Sequence, residues 1–311
     1  MAEGYMVRVL IVGGQENKIR YALMQELSNK QIYHIVADQA NDNSILTSLV
    51  QHQVHTFLNT MELAGLMAKY QIDCVIDLSN EPIISNKMKD SFEQSEKNIG
   101  RTIEVLEACV EAKVEKIIFP STIAVYGDLE GVITEDMTLQ PVLFEGLSKK
   151  IVEKYIQNYH TLYGLSYTIL RFPILYGEYS FHNQNDNIVE TTIKNVLENR
   201  PSNCFKDGEH KKHFLYISDA VRAFVSSLNK GGNEIFNICP MEKYSMKEVV
   251  SIIQSSIKED SLPHKGLKEG EKSRISIKKA QVHLGWQAQV PFLKGIRLAI
   301  DNIKIGTKKE K

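Results

Sequence analysis

The 311 residues carry a formal net charge of -1, with 43% apolar and 24% charged residues. A chain of this length holds one large core or two lobes that share a boundary, and its composition is that of an ordinary soluble globular protein. It lacks the basic field that nucleic acid binding requires and any apolar run near the about 18–20 residues that span a bilayer.

Met1 to Met6 leads into a strand without the features of a signal peptide, so no leader is expected. The cysteines Cys74, Cys109, Cys204 and Cys239 are scattered without a paired spacing. Neither a metal site nor a disulfide framework is expected from them; reduced thiols in a cytoplasmic protein are. The terminal Lys304, Lys308, Lys309 and Lys311 read as a solvated, fraying tail.

In chain order, Val7 to Val12 is a short apolar run ending in Gly13-Gly14, as a buried parallel strand does. Ile19, Leu23 and Leu27 recur at helical spacing over 18–29. Strands are expected at Tyr33 to Ala37, Val54 to Leu58, Asp73 to Leu78, Lys116 to Phe119 and Thr168 to Arg171. Helices are expected over 61–69, 95–112 and about 145–162. This alternation predicts an α/β protein with a Rossmann-type, doubly wound parallel sheet of about seven strands. Ligands bind at the carboxyl ends of such strands, which directs attention to Gly13, Asp38, Ser79, Ser121 and the chain after Phe172. From there the connections lengthen, with helices near 188–199, 218–228 and 245–257 and a strand at Glu234 to Ile238. The expected division is a dinucleotide-binding domain over 1–172 and a smaller, more helical substrate lobe over 173–311.

Five segments then match one family in the right order. They are Pro120-Ser121-Thr122-Ile123-Ala124-Val125-Tyr126-Gly127, Glu145-Gly146-Leu147-Ser148-Lys149, and Arg171-Phe172-Pro173-Ile174-Leu175-Tyr176-Gly177. Phe214-Leu215-Tyr216-Ile217-Ser218-Asp219 and Lys279-Ala280 with Leu284-Gly285-Trp286 complete the set. Over about residues 6 to 300 the chain resembles the extended short-chain dehydrogenase/reductase family that modifies nucleotide sugars. The resemblance implies NAD as cofactor, with NADP as an alternative, a nucleotide-sugar substrate, and a homodimer built on the helices at 95–112 and 145–162. It implies Gly13, Gly14, Asp38, Ser79 and Lys149 at the cofactor, Thr122 and Lys149 at the chemistry, and Thr122, Tyr126 and Lys212 at the substrate, with Tyr126 otherwise packing beneath the site or donating a proton in a rearranged pocket. Tyr155, Tyr159 and Tyr163 form an aromatic stripe on the second of those helices.

Three departures qualify that resemblance. The family's second phosphate-loop glycine falls on Glu16 and its third on Ile19 or Arg20, leaving either a loop that no longer binds a dinucleotide well or a rebuilt one in which Lys18 or Arg20 offsets the phosphate charge. The family's proton-transferring Tyr is Glu145, with Lys149 kept four residues on. These two form either a helix-surface ion pair or a working pair in which Glu145 is the general base. In the substrate lobe Ile174 stands where the family has Asn, and Lys212 where it has Arg, which gives up bidentate phosphate geometry. The His210–His213 pair reads as a basic anion-binding patch or plain surface rather than a metal site. Two functions compete: an NAD-dependent epimerase, dehydratase or reductase with Glu145 as base, and a catalytically silent relative serving as a binding, regulatory or partner subunit.

Overall fold

The computed structural model describes residues 7–14, 18–39, 54–81, 83, 88–128, 130–177, 188–200, 210–258, 271–272 and 274–309. Seven parallel strands form the main sheet: β1 (Val9–Gly13), β2 (His34–Gln39), β3 (Val54–Phe57), β4 (Cys74–Leu78), β5 (Lys116–Thr122), β6 (Ser166–Phe172) and β10 (Glu234–Asn237). Their order is β10-β6-β5-β4-β1-β2-β3. The chain runs outward from β1 through β2 and β3, then returns to place β4 on the other side of β1. That reversal opens a crevice at the carboxyl ends of β1 and β4, where Gly13 pairs with Leu78.

The strands are buried on both faces because they are nearly all apolar, and helices cover each side. Helices α1 (Lys18–Asn29) and α6 (Ile217–Ser227) pack together on one face. Helices α2 (Thr60–Tyr70), α3 (Met88–Glu111) and α4 (Phe144–Tyr163) cover the other. Local chemistry sets the ends of these helices. Asn59 accepts from the Glu62 amide at 3.0 Å while Glu62 takes the Leu58 amide at 2.8 Å, a reciprocal cap that starts α2. Gly164, at φ +77, ends α4 in the left-handed region open to glycine.

A second core gathers around α5 (Ile188–Leu197), α7 (Met246–Lys258) and α8 (Phe292–Lys309), on the parallel pair β7 (Ile174–Tyr176) and β9 (Phe214–Tyr216). A small sheet of β8 (Lys211–Lys212), β11 (Glu242–Ser245) and β12 (Glu271–Lys272) completes the lobe. The segment after 172 is shared between the two bodies, since α6 and β10 pack into the main sheet unit. Two elements differ from expectation. α3 begins at Met88, seven residues earlier than the 95–112 stretch read from its apolar spacing, because its first two turns are mostly polar. Lys304 and Lys308 lie in α8, whose buried Phe292, Ile296, Ala299, Ile300 and Ile303 anchor what reads as a free tail.

Candidate functional site

At the crevice, Gly13 and Gly14 adopt φ +73 and +75. A Cβ on Gly13 would stand 2.6 Å from Ser79 Cα, so the glycine lets β1 and the end of β4 touch. Ser79 turns inward: its amide and hydroxyl donate to Asp77 Oδ1 at 2.9 and 2.6 Å. Glu16 lies outside the described residues. Both cations that follow it are engaged internally. Lys18 Nζ lies 3.2 Å from Glu190 Oε1 on α5, which also accepts from the Gly177 amide at 2.9 Å. Arg20 Nη1 lies 2.8 Å from Asp38 Oδ1 and donates to the Gly13 carbonyl at 3.3 Å. Asp38 thus stands at the end of β2 as expected, already holding a guanidinium.

The second part of the site is the junction of β5 and α4. Thr122 caps a short 3₁₀ turn, Ile123–Tyr126, its Oγ1 accepting from the Ala124 amide at 3.2 Å. That bond uses a lone pair and leaves the hydroxyl proton available to a ligand oxygen. Gly146 presses α4 onto this turn, where a Cβ would run into the Ala124 carbonyl. Glu145 is exposed in the first turn of α4, and among the described residues it forms no ion pair with Lys149. Lys149 instead donates to the Pro120 carbonyl at 2.9 Å, its Nζ 4.3 Å from the centre of the Phe119 ring. The pairing of β4 with β5 ends at Ile118, so the Pro120 carbonyl beyond it is open to this donor. Burial pushes the Lys149 ammonium down to about 8, against the pull of the Asp77, Glu145 and Glu153 carboxylates.

Beneath that junction is a closed polar network. Glu153 takes the Arg171 Nη2 and Nε donors at 2.6 and 3.0 Å and the Ser121 hydroxyl at 2.5 Å. Arg171 Nη1 donates to the Tyr126 hydroxyl at 2.7 Å, which donates to Asn237 Oδ1 at 2.6 Å. Tyr126 is fully buried, and burial pushes its phenol up to about 12. The resemblance implies a substrate contact for Tyr126; the structure puts its hydroxyl in this network under the crevice, committed on both sides. Arg171, at the end of β6, has the same structural duty.

In the second lobe Lys212 is exposed on β8, paired in register with Tyr244, and Ile174 begins β7. His213 is half-buried, and burial together with Lys243 pushes it down to about 4, whereas its neighbour His210 is exposed. Asp219 accepts from the Gln289 and Val290 amides at 3.1 Å each, tying α6 to the segment after Trp286. Among the described residues no cluster of three or more His, Cys, Asp or Glu could hold a metal ion, and no helix is long and apolar enough to cross a membrane. Cys74, Cys109 and Cys239 are buried; Cys204 lies outside the described residues.

Asp77, Asn80 and Glu190 escape the sequence reading. Asp77 is a fully buried carboxylate whose Oδ2 has no protein partner, and Asn80 Oδ1 and Arg20 Nε are orphaned in the same way among the described residues. The signal was present for Asp77, a lone charge inside the apolar run Cys74-Val75-Ile76-Asp77-Leu78, since a buried carboxylate is costly without a purpose. Glu190 offered no such signal, because an acid in the first turn of a helix is ordinary.

Residues 18–239 match the NAD dependent epimerase/dehydratase family. A putative UDP-glucose 4-epimerase of Methanocaldococcus jannaschii is 31% identical over 239 residues, 75% of this chain and 77% of that protein. The dTDP-D-glucose 4,6-dehydratase of Homo sapiens is 26% identical over 318 residues, 96% of this chain and 90% of its own. The UDP-glucuronic acid 4-epimerase of Bacillus cereus, solved with UDP-glucuronic acid and NAD, superposes with a TM-score of 0.80 at 26% identity, covering 96% of this chain and 99% of that one. The UDP-glucose 4-epimerase of Thermotoga maritima reaches 0.83 at 21% identity over 97% and 100% of the two chains, a likeness of fold. This chain belongs to the NAD dependent epimerase/dehydratase family.

Proposed function

We propose that this chain is an NAD-dependent epimerase, dehydratase or reductase of nucleotide-activated sugars, with Glu145 in place of the family's Tyr. The observation that carries the reading is the placement of Lys149. Held by the Pro120 carbonyl, it forms no ion pair with Glu145, which stands exposed in the first turn of α4, on the same junction as Thr122. The crevice residues fit a dinucleotide. Gly13 and Gly14 leave the end of β1 free of side chains, and α1 begins just beyond, the arrangement that receives a pyrophosphate. Asp77 Oδ2 and Asn80 Oδ1 offer acceptors at the carboxyl edge of the strands.

When bound, the nicotinamide takes up and returns a hydride. The chain's own part is to move the accompanying proton. Thr122 donates to the reacting oxygen, Glu145 accepts its proton, and the Lys149 ammonium stabilises negative charge beside them and reaches the cofactor ribose. Lys212, a point charge at the lip of the second lobe, faces the phosphates of the sugar nucleotide. Turnover on a panel of UDP- and dTDP-sugars with NAD tests this reading. Product formation that disappears in Glu145→Gln supports it; a folded wild type inert on the whole panel overturns it.

A second reading, a silent binding or partner subunit, is favoured by the internal engagement of both Lys18 and Arg20, each of which already holds a carboxylate of this chain. In either case we propose a homodimer through α3 and α4. These helices pack side by side and leave Met88, Phe92, Leu147, Tyr155 and Leu162 exposed on their outer side. Tyr159, from the middle of the aromatic stripe, packs inward instead. Light scattering at micromolar concentration gives about twice the 35.4 kDa chain mass if the interface forms.

A further inference from the structure

The adenosine end of the crevice is defined by one ion pair. Arg20 comes from the first turn of α1 and Asp38 from the end of β2, with Nη1 2.8 Å from Oδ1 and both side chains 5% exposed. The same Nη1 reaches the Gly13 carbonyl at 3.3 Å, which fixes the guanidinium beside the loop. Its Nε has no protein partner among the described residues.

A bare carboxylate at the end of the second strand favours NAD for two reasons: it accepts from the ribose hydroxyls, and it repels a 2′-phosphate. Here the second reason fails. The guanidinium cancels the carboxylate's charge at the spot where discrimination arises. Of its five N–H donors, those on Nη1 are occupied, while the buried Nε has no partner among the described residues, a donor left over for a ligand oxygen. We propose that Arg20 is a specificity-determining residue that admits a 2′-phosphorylated dinucleotide, so that the site takes NADP(H) alongside NAD(H). The inference rests on the dinucleotide reading above, and the test separates the two.

The full-length protein is titrated with NADH and with NADPH, following the fluorescence of the reduced nicotinamide, with thermal unfolding as a check on each variant. The wild type binds both with dissociation constants within about tenfold. Arg20→Gln weakens NADPH by roughly 10–100-fold, the worth of a charge-assisted contact, and moves NADH by less than about threefold. If that variant fails to fold because the buried Asp38 loses its guanidinium, Arg20→Lys decides. It keeps the charge but loses the fork, and must raise the ratio of NADPH to NADH dissociation constants by about tenfold or more. A wild type that prefers NADH by over a hundredfold, or an unchanged ratio in the folded variant, overturns the proposal and leaves the dinucleotide reading intact. Equal loss of both ligands assigns Arg20 to the fold alone and also overturns it. A wild type that binds neither ligand overturns both readings.

Discussion

Lys149 Nζ donates to the Pro120 carbonyl at 2.9 Å rather than pairing with Glu145 one helical turn before it. The close ion pair that would tie the stability of α4 to Glu145 is therefore absent. An exposed i, i+4 ion pair contributes about 0.2–0.5 kcal/mol, and here not even that is formed. Glu145→Gln should change unfolding free energy by less than about 0.5 kcal/mol, measured by denaturant titration. Turnover should fall by about 10²–10⁴, the worth of a positioned acid/base group. Retained turnover in the variant would remove Glu145 from the chemistry.

Tyr126→Phe separates wall from substrate contact. The hydroxyl holds Arg171 and Asn237 together, so its loss leaves a buried donor and a buried acceptor unpaired at a cost of about 1–3 kcal/mol. Turnover per folded molecule should stay within a few-fold of wild type. A large rise in KM without loss of stability would instead place the phenol against the substrate.

The Glu153–Arg171 pair, 2% exposed on each side, should be the most sensitive polar contact under the crevice. Glu153→Ala leaves Arg171 buried without its carboxylate and should destabilise the fold by about 3–5 kcal/mol. The double variant Glu153→Leu with Arg171→Met should recover much of that loss, because it removes both charges. If the single variant melts like wild type, this pair is not what anchors α4 to β6.

His213 gives a pH signature. Its imidazole is pushed down to about 4 when folded, from the ordinary value near 6.5, so the unfolded chain binds the extra proton first. The stability that comes from keeping it neutral is complete above about 6.5 and is lost as pH falls toward 4. His213→Gln should flatten that part of the stability profile. A ring-proton titration midpoint near 6.5 in the folded protein would contradict the burial.

The sheet was legible because apolar runs such as Val9-Leu10-Ile11-Val12 and Lys116-Ile117-Ile118-Phe119 bury both faces and leave no competing period. The places of Gly13, Asp38, Thr122 and Lys149 followed from motif and strand end. What each side chain touches did not. Motif spacing says that Asp38 ends a strand, yet nothing in it says that Arg20, eighteen residues earlier, will fold against that carboxylate. Glu145 and Lys149 have the spacing of a helix-surface pair, but a carbonyl freed by the early end of β4 competes for the amine. The polar first turns of α3 and the lysines of α8 were obscured because tertiary packing elsewhere on each helix holds them in place.

The bridge from Lys18 to Glu190 joins the first helix of the sheet to the helical lobe at the crevice itself. The gap between the two bodies there is set by the reach of one lysine side chain. Burial pushes the Glu190 carboxyl up while Lys18 and the Gly177 amide hold it down, so this crossbar ties the protonation of a buried acid to the contact between the two bodies.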